Sequence, residues 1–164
     1  MKQNKQAGFT LIELIIVIVI LGILAVTASP KFLDIQGDAR KSTLEGLEGS
    51  LKGAANIVYS KALINNEANA DDQALTGVTN VTVDYGYPRA DETTLGAILE
   101  LDAAEWEVHA LTSIADAVRI YPAGSYEGAD NEIHTDDTDC YLQYVMDDSA
   151  AGNTPAYTLV ATSC

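Results

Sequence analysis

Basic residues are scarce in this chain. Nine Lys and Arg stand against 24 Asp and Glu in 164 residues, a formal charge of −15 at pH 7. Nucleic-acid binding draws on Lys and Arg to neutralise phosphates, so no nucleic-acid partner is expected. An anionic membrane surface is disfavoured for the same reason. There are only two cysteines, Cys140 and Cys164, and no zinc-type pair spacing. Histidine is limited to His109 and His134, and the Ser and His residues have no triad-like context. No Gly-rich phosphate loop, G-x-S-x-G turn or H-E-x-x-H motif occurs. The chain therefore reads as a non-enzyme, with no catalytic residues, cofactor or specific metal site expected. The segment Glu132–Cys140 gathers several oxygen ligands, but it lacks the EF-hand pattern and its turn glycine, so a solvated acidic loop is the simpler reading.

Charge is also missing locally. From Leu14 to Pro30 the chain is an uncharged apolar run, and Glu13 is the only charge between Lys5 and Lys31. A charged side chain inside a membrane segment costs about 2.5–3.5 kcal/mol on insertion scales, which makes Glu13 a functional candidate in need of a partner. The run is preceded by a short basic leader, Met1–Gly8 (MKQNKQAG). A secretory signal peptide has its apolar segment before the small-residue cleavage site; here it follows Gly8. Cutting after Gly8 would remove the leader, keep the apolar segment and create an α-amine on Phe9, four residues before Glu13. Within one helix the two lie about one turn apart. Between neighbouring helices, a small axial offset would bring the Phe9 amine of one chain to Glu13 of the next, and burial favours such pairing.

These residues resemble the class III signal of type IV pilins: a basic leader ending in Gly8, then Phe9-Thr10-Leu11-Ile12-Glu13, an aliphatic run, Gly22 and Pro30. The resemblance implies cleavage between Gly8 and Phe9 by a prepilin peptidase, N-methylation of Phe9, and a role for Glu13 in subunit docking. It also implies an α+β fold, with a long N-terminal helix that is membrane anchor first and spine afterwards, packed on a C-terminal antiparallel β-sheet. The run Ile15–Phe32 is similar to the mannose-sensitive haemagglutinin (MSHA) group of type IVa pilins. Asp38-Ala39-Arg40, Thr43-Leu44-Glu45-Gly46, Ile57–Ala62, Gly86-Tyr87-Pro88, Glu105-Trp106 and Ile120-Tyr121-Pro122 extend that similarity.

The organisation expected is a leader at residues 1–8, a hydrophobic helix at 9–30, its amphipathic continuation at 31–63 and a globular head at 64–164. Leu44, Leu47, Leu51, Ala54 and Val58 form one apolar stripe, and a helix from Phe9 to Leu63 would be roughly 80 Å long. Gly22 and Pro30 are its weak points, Pro30 because it removes a backbone hydrogen bond and kinks a helix. Gly46, Gly49 and Gly53 form a small-residue row, read as tight packing within the chain. The head carries the acidity: from Ala62 onward only Arg89 and Arg119 oppose 19 Asp and Glu, a formal −17, read as a solubility device.

In the head, an edge strand is expected over 78–87, ended by Pro88, then a short helix over 94–101 with Asp91 or Thr93 at its start. A strand is expected at 117–121. Cys140–Met146 and Tyr157–Thr162 read as a hairpin centred near Gly152, whose open end a Cys140–Cys164 disulfide would staple. The tyrosines are mostly explained by packing, although they could stack on sugars.

The function expected from the resemblance is that of the major subunit of an MSHA-type pilus. It would be a single-pass inner-membrane precursor of a Gram-negative bacterium, then an extracellular homopolymer built by the pilus assembly machinery. Adhesion to host or abiotic surfaces, including glycans, and biofilm formation would follow. A type II secretion pseudopilin and a minor tip adhesin are the alternatives.

Overall fold

The computed structural model describes residues 9–112, 114–124, 140–147, 152–162 and 164, except for the side chains of 28–34. The leader at residues 1–8 and the acidic loop at 132–139 lie outside the described residues. The architecture is α+β, a long N-terminal helix and antiparallel sheets. Helix α1 (Leu11–Asn65) is followed by β1 (Gln73–Ala74), β2 (Thr82–Asp84) and β3 (Tyr87–Pro88), then by helix α2 (Glu92–Leu99). Strands β4 (Trp106–Ala110), β5 (Ala117–Pro122), β6 (Cys140–Val145) and β7 (Ala156–Ala161) complete the chain. β1-β2-β3 form one sheet and β4-β5-β6-β7 the other, with every neighbouring pair antiparallel. The chain divides into two compact units, residues 1–38 and 39–164, and α1 passes through both.

The second unit is built on the apolar stripe of α1. Leu44, Leu47 and Leu51 share a core with Val118, Ile120, Leu142, Tyr144 and Met146, and with Leu95 of α2. Further along, Val58 and Ala62 meet Leu75, Val81 and Val83 of the three-stranded sheet region. Each such side chain contributes about 1.5–3 kcal/mol on full burial. The stripe runs 44-47-51-55-58-62, so Ala55 is in the core and Ala54 only half-buried. The helix ends at Asn65, two residues past the expected Leu63.

The glycine row corrects the expectation of tight intrachain packing. Gly46, Gly49 and Gly53 are exposed, and a Cβ at any of them would meet nothing within 4 Å. Each follows a core leucine by two positions, about 200° around the helix, so the row lies opposite the packed face.

Two expectations for the first part of the head change. Residues 78–87 are not one strand, because Tyr85 (φ 49°) and Gly86 (φ 91°) form a two-residue turn between β2 and β3. Gly86 is required there: a Cβ would come within 2.9 Å of Tyr59 Cδ2 and Ala68 Cβ. The short helix α2 runs Glu92–Leu99, two residues earlier than the expected 94–101, with Asp91, one of the two expected start residues, as its cap: the Asp91 carboxylate accepts from Thr94 N–H at 2.7 Å.

The last hairpin forms, in a different register from the one expected. Cys140 faces Ala161 across β6 and β7, three residues short of Cys164. The chain beyond β7 brings Cys164 to Cys140 all the same, with a Cα–Cα distance of 4.8 Å and a disulfide between them. The turn therefore centres nearer residue 150 than Gly152. Strand β4, which carries Trp106 and His109, has no clear alternation in sequence and is fixed by pairing with β5. The two sheets are joined by a buried hydrogen bond, in which Tyr144 O–H donates to the Pro88 carbonyl at 2.6 Å.

Two outcomes follow for stability. Gly49→Ala should stabilise the folded head by about 0.5–1 kcal/mol, because the helix gains propensity and no neighbour is disturbed; a lowered melting temperature in the unassembled chain would contradict this packing. Burial and the neighbouring Tyr87 phenol push Tyr157 up to about 12, and burial, then Tyr157, Asp84 and Tyr87, push Tyr144 further up from 10.0. The folded phenols hold their protons longer than the unfolded ones, so their contribution is complete below about pH 10 and is lost as pH rises from there through 12. Melting temperature measured from pH 9 to 12 should fall along that limb, and less steeply in Tyr157→Phe. An unchanged slope in that variant would contradict the assignment.

Candidate functional site: the N-terminal turn and its apolar helix

In the first unit, α1 buries none of its described apolar side chains. Phe9 is 93% exposed, and Leu11, Ile12, Leu14 to Leu21, Ile23, Leu24 and Val26 are all exposed. An apolar surface of this extent marks an interaction site. Aliphatic residues all round the helix leave no polar face to turn to water.

The described polar side chains of this stretch are satisfied inside the helix itself. Thr10 and Glu13 form a capping box at the start of α1. The Glu13 Oε2 oxygen accepts from Thr10 N–H at 2.8 Å and from Thr10 O–H at 2.6 Å, while Glu13 N–H lies 3.3 Å from Thr10 Oγ1. The pattern Thr-x-x-Glu is the sequence signature of this motif, and it supplies orphan first-turn donors with acceptors. A carboxylate in the first turn also suits the positive end of the helix dipole. At the other end of the described run, Thr27 O–H donates to the Ile23 and Leu24 carbonyls, each at 3.1 Å. Thr10 is thus the partner of Glu13 within the chain, at a Thr-x-x-Glu spacing that the sequence displays. Oε1 of Glu13 accepts no hydrogen bond among the described residues.

Of the other candidate positions, Gly8 lies outside the described residues and Phe9 stands just before the first turn. The backbone is helical through Gly22 and Pro30, and a Cβ at Gly22 would meet nothing. Cys140 and Cys164 are joined in the second unit. His109 is on β4 beside Glu107 and Tyr121, and His134 lies outside the described residues. No group of three or more His, Cys, Asp or Glu placed to hold a metal occurs among the described residues. Nor, among those residues, is any helix long and apolar enough to cross a membrane; the described side chains of the run stop at Thr27.

Residues 3–29 match the family model described as the prokaryotic N-terminal methylation motif. The chain carries this motif at its N-terminus and is similar to fimbrial and type IV pilin proteins. Among its relatives are the fimbrial protein EcpC of Eikenella corrodens, 47% identical over 60 residues, covering 37% of this chain and 39% of that protein. The type IV narrow pilus major component PilA5 of Thermus thermophilus is 42% identical over 58 residues, 35% of this chain and 50% of that one. The type II secretion system core protein G of Aeromonas hydrophila is 31% identical over 90 residues, 55% and 61%. The chain thus spans from about two-fifths to three-fifths of the length of these relatives. No solved structure matches it.

If the capping box holds the first turn, Thr10→Ala should cost that turn about 1 kcal/mol. Amide exchange at Leu11 to Leu14 of the full chain in detergent micelles should then speed up several-fold, and Thr10→Ser should restore it. Equal exchange in all three would show that Glu13 does not depend on Thr10.

Proposed function

We propose that this pilin is the major structural subunit of an MSHA-type pilus, which polymerises into a surface filament for adhesion and biofilm formation. The observation that carries the subunit reading is the exposed apolar helix Leu11–Val26 with a single carboxylate in its first turn. Such a surface suits both environments the pathway requires. In the precursor it lies in the inner membrane as one span; in the fibre it packs against copies of itself. Lipid and a helix bundle are both apolar, so the transfer needs no change in the residues.

Processing supplies the missing partner. Prepilin peptidase would cut between Gly8 and Phe9, and N-methylation would follow on the Phe9 amine. Within its own chain Glu13 engages one carboxylate oxygen with Thr10, which leaves Oε1 for the Phe9 amine of a neighbouring copy. A cation–carboxylate pair away from water is rewarded more than one in water, provided the geometry is good. Gly22 and Pro30 would be the points where the helix adjusts on packing. The MSHA-type assignment rests on the residues of Ile15–Phe32 and the pieces that follow. No catalytic role is proposed, and partners other than the polymer and its assembly machinery would be the surfaces it attaches to.

A second reading, a pseudopilin of a type II secretion system, is favoured by the 90-residue similarity to the Aeromonas protein. Sheared surface material separates the two. The pilin should be its dominant band, with an N-terminus at Phe9, and Glu13→Ala should insert in the membrane yet give no filaments. A dominant band beginning at Met1, or normal filaments in Glu13→Ala, would overturn the subunit reading. Scarcity of this chain in that fraction would transfer the assignment to the pseudopilin.

A further inference from the structure

The head contains an open cleft of about 240 Å³ lined by Lys52, Asn56, Tyr87, Thr154, Pro155 and Tyr157. Three elements supply it. Lys52 and Asn56 project from successive turns of α1, Tyr87 comes from β3, and Thr154 and Pro155 lead into Tyr157 on β7. The aromatic walls are set before any ligand arrives. Tyr87 stacks on Tyr59 with centroids 4.5 Å apart, and Tyr157 packs against Tyr144 at 5.5 Å. Lys52 Nζ lies 5.3 Å from the Tyr157 ring centroid. Walls held this way lose little side-chain freedom on binding.

The lining chemistry narrows the ligand. Its described lining has two phenols, an amide, a hydroxyl and an ammonium, and no carboxylate, and four of the six residues come from the stretch 62–164, whose formal charge is −17. The Tyr87 and Tyr157 hydroxyls and the Asn56 amide have no hydrogen-bond partner among the described residues. A metal ion would find no anionic oxygen there. An anionic ligand would approach an acidic surface, and the Lys52 charge is already engaged by Glu48 at 2.6 Å. What remains is a neutral molecule with many hydroxyls and one apolar face. Volume sets its size, since drug-sized ligands occupy about 300–1,000 Å³; this cleft suits one ring.

We propose that the cleft binds a single neutral pyranose residue of a surface glycan, with the C–H face of the sugar on a tyrosine ring and its hydroxyls on Asn56, Lys52 and the phenols. The site rests on the surface-attachment reading above and gives it a location on the subunit.

Saturation-transfer NMR tests it on sheared filaments and on the full chain in detergent micelles. The probes are the methyl pyranosides of glucose, galactose and mannose, with glucuronate as the acidic arm. At least one neutral sugar should receive saturation on its ring protons. Asn56→Ala and Lys52→Met should each weaken binding by about five- to tenfold, the loss of one hydrogen bond, with filament yield unchanged. Both positions are exposed on α1, and the Lys52–Glu48 pair is a surface i, i+4 contact that the helix does not depend on. Absence of transfer to all three neutral sugars, stronger binding of glucuronate, or binding unchanged in both variants would overturn the proposal. If the wild-type chain forms no filaments, the subunit reading fails, and the micelle experiment still decides the sugar site.

Discussion

An apolar helical surface from Phe9 to Val26 that the chain leaves uncovered is the constraint on which the rest depends. Burial of aliphatic surface is worth roughly 25 cal/mol per Å², so water is the one environment this segment does not tolerate. The head shows the opposite solution on the same helix. There the leucines of α1 are covered by β5, β6 and α2, and polar or small residues take the other side. One helix therefore carries two kinds of surface: one covered within the chain and one left exposed, which the proposed function assigns to lipid and to other copies.

Glu13 is compatible with that surface because its charge does not stand alone. The capping box lets the helix start in apolar surroundings with its first-turn donors and its carboxylate engaged together. This arrangement is local and exists in the unprocessed chain. In the proposed fibre the interchain pair with Phe9 would use the second oxygen, so cleavage would add a partner without first undoing the cap. The glycines at 46, 49 and 53 belong to the same theme, because they leave that face of α1 smooth where no described residue lies against it.

The sequence made the helix, its stripe and the final hairpin readable because each is a strong periodic or turn signal. Leu44, Leu47 and Leu51 repeat at helical spacing, and β6 alternates buried and half-buried residues. The misreadings came from weak or long-range signals. Tyr85-Gly86 split an expected strand because a non-glycine residue adopts a positive φ there, which Tyr does not advertise. The hairpin register missed because symmetry about the two cysteines was taken as its guide, while side-chain alternation and the chain's path after Ala161 set the pairing. The glycine row packs against no described residue, since small side chains permit a close approach without requiring one. Thr10 is legible from the Thr-x-x-Glu pattern, which places it nearer to Glu13 than the Phe9 amine is in sequence. The cleft between α1, β3 and β7 joins residues more than 100 positions apart, and no local pattern announces it.

Solid-state NMR on filaments grown from mixed subunits addresses the central claim most directly. One population would carry ¹⁵N in Phe9 and the other ¹³C in the Glu13 side chain, so that any Phe9 N–Glu13 Cδ correlation arises between chains. The account predicts such a correlation, at the separation of an ion pair with nitrogen and oxygen within about 4 Å. Filaments without it, whose Glu13 carboxylate contacts only the Thr10 of its own chain, would contradict the account.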